Sequence, residues 1–137
     1  NMADLSVTGS GVVASALAKT NVGTAGATIT AGQPLYEDSS DGFALKPAQG
    51  DATKNKVVGI ALHGASDGQP VKYIISGQLT AGATLVLGQT YVASAAAAGG
   101  IAPISDLGTG AYPTILGIAI TTAILAVNIQ VGGVAKP

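Results

Sequence analysis

The stretch TAGATITAGQPLY at residues 24–36 returns at residues 80–92 as TAGATLVLGQTYV, with seven identities in thirteen positions. Three further segments recur in the same order at nearly the same offset: DGFAL matches GGIAP, VVGIAL matches ILGIAI, and VKYIISG matches VNIQVGG. Segments that recur in a fixed order indicate a duplicated structural unit. The sequence therefore predicts two tandem repeats, over about residues 24–77 and 80–133.

Each repeat consists of short apolar runs separated by clusters of Gly, Asp, Asn and Ser, which are typical of turns. Asp-Gly pairs at 41–42 and 67–68 indicate hairpin turns. Strands at such regular, short intervals predict an all-β fold, an antiparallel β-sandwich or jelly-roll-like barrel with four strands per repeat. The four expected strands lie near 27–31, 33–37 together with 43–46, 56–62 and 70–76 in the first repeat, and near 83–87, 89–94 together with 100–104, 114–120 and 124–131 in the second.

Residues 1–23 lie outside the repeat and alternate apolar with small polar residues. We expect them to form an extended N-terminal arm beside a single β domain at 24–137. The segment VVASALAKT at 12–20 is the best helix candidate, but it fits an extended arm equally well. A segment of this kind can add to a sheet edge, either its own or that of a neighbour.

Composition narrows the range of partners. Charged residues make up only 9% of the chain, the net charge is −1, and all six basic residues are Lys. Without Arg or a basic patch, nucleic acid is not expected as a partner. The longest apolar stretch, 115–127, is too short to span a membrane as a helix, so no membrane association is expected. A surface so poor in charge is instead prone to association with protein partners.

The residues offer little for catalysis or ligand binding. Cys is absent, and His63 is the only His, so neither a metal site nor a nucleophilic triad has its partners. The acidic segment EDSSDG at 37–42 does not have the spacing of a calcium loop and is better explained as a solvated hairpin turn. We therefore expect no catalytic residues, no cofactor and no metal, and the chain is not predicted to be an enzyme.

Two segments are candidates for protein contacts. One is the N-terminal arm, and the other is the Ala-rich loop SAAAAGG at 94–100, which replaces the charged EDSSDG of the first repeat. This loop is either a flexible tip or a contact surface that tolerates close approach. The predicted interface residues are Leu5, Val7, Val12, Val13, Ala95, Ala96, Ala97 and Ala98.

The ordered segments TITAGQPLYEDSSDGFALKPA and VVGIALHGASDGQPVKYIISG resemble the decoration, or cement, proteins of tailed-bacteriophage capsids. The resemblance spans about residues 24–133. It implies a β-rich protein on the outer surface of the virion capsid that binds the major capsid protein, stabilises contacts between capsomers, and assembles as a homodimer or homotrimer. The arm would lie along the capsid or an adjacent subunit, so deleting residues 2–20 is predicted to abolish shell binding and to leave the fold intact.

An alternative is a host-surface or carbohydrate-binding β-sandwich module of a virion fibre or tail. Sugar recognition usually relies on aromatic platforms. The aromatic residues available for one are Tyr36, Phe43, Tyr73, Tyr91 and Tyr112.

Overall fold

The fold is built almost entirely from strands. The computed structural model describes residues 4–137, in which ten β-strands and three short 3-10 turns follow one another. The strands are β1 (Val12–Ala14), β2 (Lys19–Thr24), β3 (Pro34–Asp38), β4 (Ala44–Pro47), β5 (Val57–Ala61), β6 (Pro70–Ala81), β7 (Thr90–Ala93), β8 (Ile101–Pro103), β9 (Thr114–Ala119) and β10 (Ile124–Val131). The 3-10 turns are Gly9–Gly11, Ser39–Asp41 and Ile104–Asp106. The named strands pair antiparallel throughout, which confirms the predicted all-β class.

The two repeats have the same strand order. Unit 1, β3 to β6, is ordered β4-β3-β5-β6, and unit 2, β7 to β10, is ordered β8-β7-β9-β10. The units join through their last strands, where Leu79 of β6 lies opposite Leu125 of β10. The prediction of two four-stranded repeats is therefore confirmed. In the described residues the terminal strands β4 and β8 do not pair with each other, so the sheet is open and not a closed barrel.

The strands expected near 27–31 and 83–87 are not formed. Ile29 makes a single bridge to Ala65, and both segments turn just before β3 and β7. The turns close through equivalent hydrogen bonds, from the Gln33 amide to the Thr30 carbonyl and from the Gln89 amide to the Val86 carbonyl. The apolar residues of these segments are buried although the segments do not form strands, since Ile29 and Leu85 both lie in the core.

Each unit packs around equivalent apolar side chains. Unit 1 has its own core cluster, and the residues at the same repeat positions in unit 2 belong to the main core of the protein. The equivalent pairs are Ile29 and Leu85, Leu35 and Tyr91, Ala61 and Ala119, Val71 and Val127 and, by the register of the paired strands, Leu45 and Ile101. The opposite side of unit 1 contributes Ala48, Val57, Ile60 and Ile74 to the main core, so the two units share one interior.

The N-terminal arm belongs to the chain's own sheet. It runs antiparallel along β6, from Val12 opposite Ala81 to Thr24 opposite Pro70. The arm is extended as predicted, with no helix over 12–20. Deleting residues 2–20 would remove β1, the start of β2 and a buried core residue, so we now expect this deletion to destabilise the fold rather than leave it intact.

Candidate interaction surfaces

The Ala-rich segment Ser94–Gly99, here called the alanine loop, joins β7 to β8 in a defined shape. The side chain of Ser94 is buried, and its Oγ accepts hydrogen bonds from the amides of Ala96 at 3.1 Å and Ala97 at 3.3 Å. The Ser94 amide donates to the Gly100 carbonyl at 2.9 Å, which closes the loop at its base. Ala96 to Ala98 remain exposed at the tip. The loop thus presents small uncharged side chains on a hydrogen-bonded frame.

Unit 1 also holds the alanine loop from the side. The Gly50 amide donates to the Ser94 carbonyl at 2.9 Å, and the Gly99 amide donates to the Ala48 carbonyl at 2.7 Å. The Gln49 side chain adds a hydrogen bond from Nε2 to the Ala95 carbonyl at 2.9 Å. Of the two interpretations left open by the sequence, these bonds favour a preformed surface over a flexible tip.

The start of the arm lies beside the alanine loop. The Leu5 amide donates to the Ile101 carbonyl at 2.8 Å, which aligns the arm with β8. Asp4 and Asp106 line one pocket together with Ala95 and Ala96 of the loop. Leu5 and the alanine loop were predicted as contact residues from distant parts of the sequence, and the fold brings them together. We call this combined region the loop surface.

The side chains of the other predicted arm residues differ in their exposure to solvent. Val7, like Leu5, is partly buried and packs against the main core. Val12 is 7% exposed and lies within the core, so its expected contact role is corrected to a stabilising one. Its neighbour Val13 is 58% exposed, because successive side chains of a strand point to opposite faces. Val13 is therefore the arm residue of this set that is most accessible to a partner.

The equivalent loop of unit 1 is charged. Asp38 Oδ1 accepts hydrogen bonds from the Ser40 amide at 3.0 Å and the Ser40 hydroxyl at 2.6 Å. Lys46 Nζ lies 2.8 Å from Asp38 Oδ2 and 3.3 Å from Asp41 Oδ2. The hydrogen bond from Lys46, followed by those from Ser40, lowers the pKa of Asp38 to about 2. The segment forms a solvated turn, as its composition predicts, that ends at Gly42 in the left-handed conformation.

Charge is divided unevenly between the two repeats. Residues 24–77 carry nine charged side chains, and residues 80–133 carry only Asp106. Since the units have the same strand order, the fold itself does not impose this difference. The surface of unit 1 is therefore charged, whereas that of unit 2 is almost without charge.

A second uncharged surface lies across β1, β6, β10, β9 and β7. The strand register places Ala126 of β10 opposite both Gln78 of β6 and Ile118 of β9, and Ile118 lies opposite Thr90 of β7. We call this surface the outer face, because the intervening residues point into the main core. Its side chains are those of Val13, Gln78, Thr80, Thr90, Ile118, Ile120, Ile124, Ala126 and Asn128.

Apart from Val13, the residues of the outer face were not predicted from the sequence. Ile118 and Ile120 lie in an apolar run that reads as a buried strand, yet they are 48% and 42% exposed. The comparison of repeats does not separate them from buried positions, because Ile118 matches Ile60, which is fully buried. Only the structure shows that one of the two equivalent faces is covered.

The residues considered for catalysis, metal binding or sugar recognition occupy ordinary structural positions. His63 is exposed, donates from Nδ1 to the Gly64 carbonyl at 2.8 Å and accepts from the Lys72 amide at Nε2 at 3.0 Å, an arrangement of the neutral ring. Tyr73 and Tyr91 are buried and cannot act as aromatic platforms. Within residues 4–137, no group of three or more His, Asp or Glu side chains could hold a metal ion.

The described part of the chain has no helix long and apolar enough to cross a membrane. No protein-family model matches the sequence, and no curated protein matches it either.

Proposed function

We propose that this protein is a capsid decoration protein that binds the outer surface of a bacteriophage head and stabilises contacts between capsomers. Its partners are the major capsid protein and further copies of itself, as a homodimer or homotrimer, and its role is structural, without catalysis. The ordered β-strand segments that resemble this family motivate the proposal.

The observation that carries the proposal is the loop surface. Two segments predicted independently as contact regions, Leu5 and Ala95–Ala98, lie side by side and are held by backbone hydrogen bonds and by the side chain of Ser94. A preformed surface loses little conformational entropy on binding. Methyl side chains also let a partner's backbone approach closely.

On this proposal the contact at each copy is weak, and stability comes from repetition over the shell. Many equivalent contacts on one particle raise the overall avidity far above that of a single contact. Unit 1, with its nine charged residues, would then face the solvent. The alanine loop of unit 2, with Asp4 and Asp106 beside it, would face the shell.

The first test is the copy number of this protein in purified virions, measured by quantitative mass spectrometry against the major capsid protein. A decoration protein is expected at a ratio near one, on the order of hundreds of copies, because the lattice repeats its binding site. A handful of copies would place it at a vertex, tail or fibre. Absence from the virion would overturn the proposal.

The second test locates the contact. Ala97→Lys adds a charge at the exposed tip of the alanine loop, and we expect it to reduce binding to shells at least tenfold. Ser66→Lys is the matched control, because it adds the same charge to an exposed turn of unit 1. Equal binding by the two variants would exclude the loop surface as the shell contact.

One observation favours the alternative of a host-surface or carbohydrate-binding module. Phe43 is 62% exposed and has φ 62°, a left-handed conformation that bulky residues rarely adopt. Strained exposed aromatic residues occur at binding sites. Binding on a glycan array that is lost in Phe43→Ala, but retained in Val22→Ala, would support this function over the first.

A further inference from the structure

We propose that the outer face binds the same face of a second copy of this chain, in a contact with twofold symmetry. The inference rests on the self-association in the proposed function, but it does not require shell binding. It names the surface that joins two copies, on which Val13 is the one predicted interface residue.

The internal duplication supplies the first argument. In unit 1, Ala48, Val57, Ile60 and Ile74 lie in the main core, where they meet unit 2 and the arm. The residues at the same repeat positions in unit 2 are Ile104, Ile115, Ile118 and Gln130. These side chains are partly or largely exposed in the described chain. Of these four residues Ile118 lies on the outer face, whereas Ile115 packs against a separate buried cluster. At the position of Ile118, a side chain that is covered in unit 1 is therefore exposed in unit 2.

Charge supplies the second argument. The side chains of the outer face are aliphatic, hydroxyl or amide groups, and none is ionisable. In a twofold contact each patch meets its own copy, so any charge near the axis would face a like charge. A neutral face avoids that repulsion. The face also combines a hollow over Gly117 and Ala126 with the projecting side chain of Ile118, so two copies can interlock.

The size of the face is the third argument. Five strands at a spacing of about 4.8 Å span roughly 24 Å, but only β10 contributes three outward side chains, β6 and the end of β9 contribute two each, and β1 and β7 contribute one each. Two such faces therefore bury less than about 1,000 Å² together, which is the size of a weak, reversible contact. Exposed Val86 and Leu87 lie in the loop beside the end of β9 and can extend the contact. We therefore expect a dimer of modest affinity, with a dissociation constant in the micromolar range.

Sedimentation equilibrium of the isolated full chain tests the proposal without any shell. We expect the mass to rise from 13.2 kDa at low concentration toward twice that value at about 100 µM. Ile118→Lys should shift the midpoint at least tenfold in concentration, and Ser66→Lys should not. Because Ile118 is half exposed, circular dichroism of the lysine variant should match that of the unmodified chain.

A cross-linking experiment tests the geometry directly, since the chain contains no Cys. Asn128→Cys places a single thiol on the central strand of the outer face, where Asn128 is exposed. A short bifunctional maleimide should link this variant into dimers at concentrations where Ser66→Cys stays monomeric.

Several results would overturn the proposal. They are a monomer throughout the concentration range, an assembly that Ile118→Lys leaves unchanged, a trimer, or equal cross-linking of the two Cys variants. Loss of shell binding in Ile118→Lys by a chain that is always monomeric would assign the outer face to the capsid protein instead. None of these results would disprove shell binding through the loop surface, which Ala97→Lys tests separately.

Discussion

Asp38 and Ser94 occupy the same position in the two repeats, and each accepts a hydrogen bond from the amide two residues ahead. Asp38 Oδ1 lies 3.0 Å from the Ser40 amide, and Ser94 Oγ lies 3.1 Å from the Ala96 amide. The turn therefore requires a side-chain oxygen but not a charge. This freedom lets one repeat carry an ionic turn in solvent while the other carries a neutral turn.

Replacing Ser94 with Ala removes the acceptor for two loop amides. We expect Ser94→Ala to lower the free energy of unfolding by about 1 kcal/mol, as for the loss of a capping hydrogen bond. Urea titration followed by circular dichroism measures this change. Ser66→Ala is the control, because the Ser66 side chain is exposed, and it should stay within about 0.5 kcal/mol of the parent chain. Equal effects of the two substitutions would contradict the capping role.

The ion pair of Asp38 and Lys46 predicts a loss of stability in acid. The hydrogen bond from Lys46 lowers the pKa of Asp38 from 3.8 to about 2 in the folded chain. A carboxyl group with a lowered pKa stabilises the fold above its unfolded pKa, and this contribution disappears as the pH falls from about 4 to about 2. The melting temperature of the parent chain should therefore exceed that of Asp38→Asn at pH 6, and the gap should narrow toward pH 2.

Lys46→Met tests the cause of that pH dependence. Without the Lys46 ammonium group, the largest influence on the pKa of Asp38 is gone, so substituting Asp38 should then change the pH profile much less. Double-mutant analysis of Asp38→Asn and Lys46→Met at pH 6 measures the coupling. Independent, additive effects would show that the pair does not act together.

The repeat predicted most of the fold. Apolar runs and Asp-Gly turns predict the positions of β3 to β10 to within a few residues of the observed strands, because these patterns reflect local burial and turn geometry. The strands predicted around Ile29 and Leu85 do not form, because a buried segment without strand pairing has the same sequence pattern as a strand. Local patterns also do not say which sheet edge an arm joins, so the pairing of β1 and β2 with β6 required the structure.

The candidate surfaces were predicted only in part. The contrast between EDSSDG and SAAAAGG pointed to the alanine loop, since a change of charge at equivalent positions is visible in the sequence. The outer face was missed because Ile60 and Ile118 have the same surroundings in sequence. Which of the two is covered depends on how the units pack, and that is a tertiary property.

The arm offers a matched pair of neighbouring residues. Val12 is 7% exposed and Val13 is 58% exposed, on opposite faces of β1. Val12→Ala should lower the free energy of unfolding by about 1–3 kcal/mol, from lost burial and the cavity it leaves. Val13→Ala should change it by less than about 0.5 kcal/mol. Thermal or urea unfolding measures both, and a larger effect at Val13 would argue against the pairing of β1 with β6.

Gly59 and Gly117 occur at equivalent positions of β5 and β9, and both lie against a neighbouring strand. A Cβ atom at Gly59 would collide with the Tyr73 ring and lie 2.6 Å from the Ile74 carbonyl oxygen, and one at Gly117 would collide with the Ala126 carbonyl. We therefore expect Gly59→Ala and Gly117→Ala each to destabilise the fold by about 1–3 kcal/mol, because the contacting atoms include backbone that cannot rotate away. Gly108→Ala is the control, since a Cβ there meets no atom within 4 Å, and it should be neutral or slightly stabilising. If urea titration finds all three variants alike, close strand approach is not the reason for glycine at the repeated position.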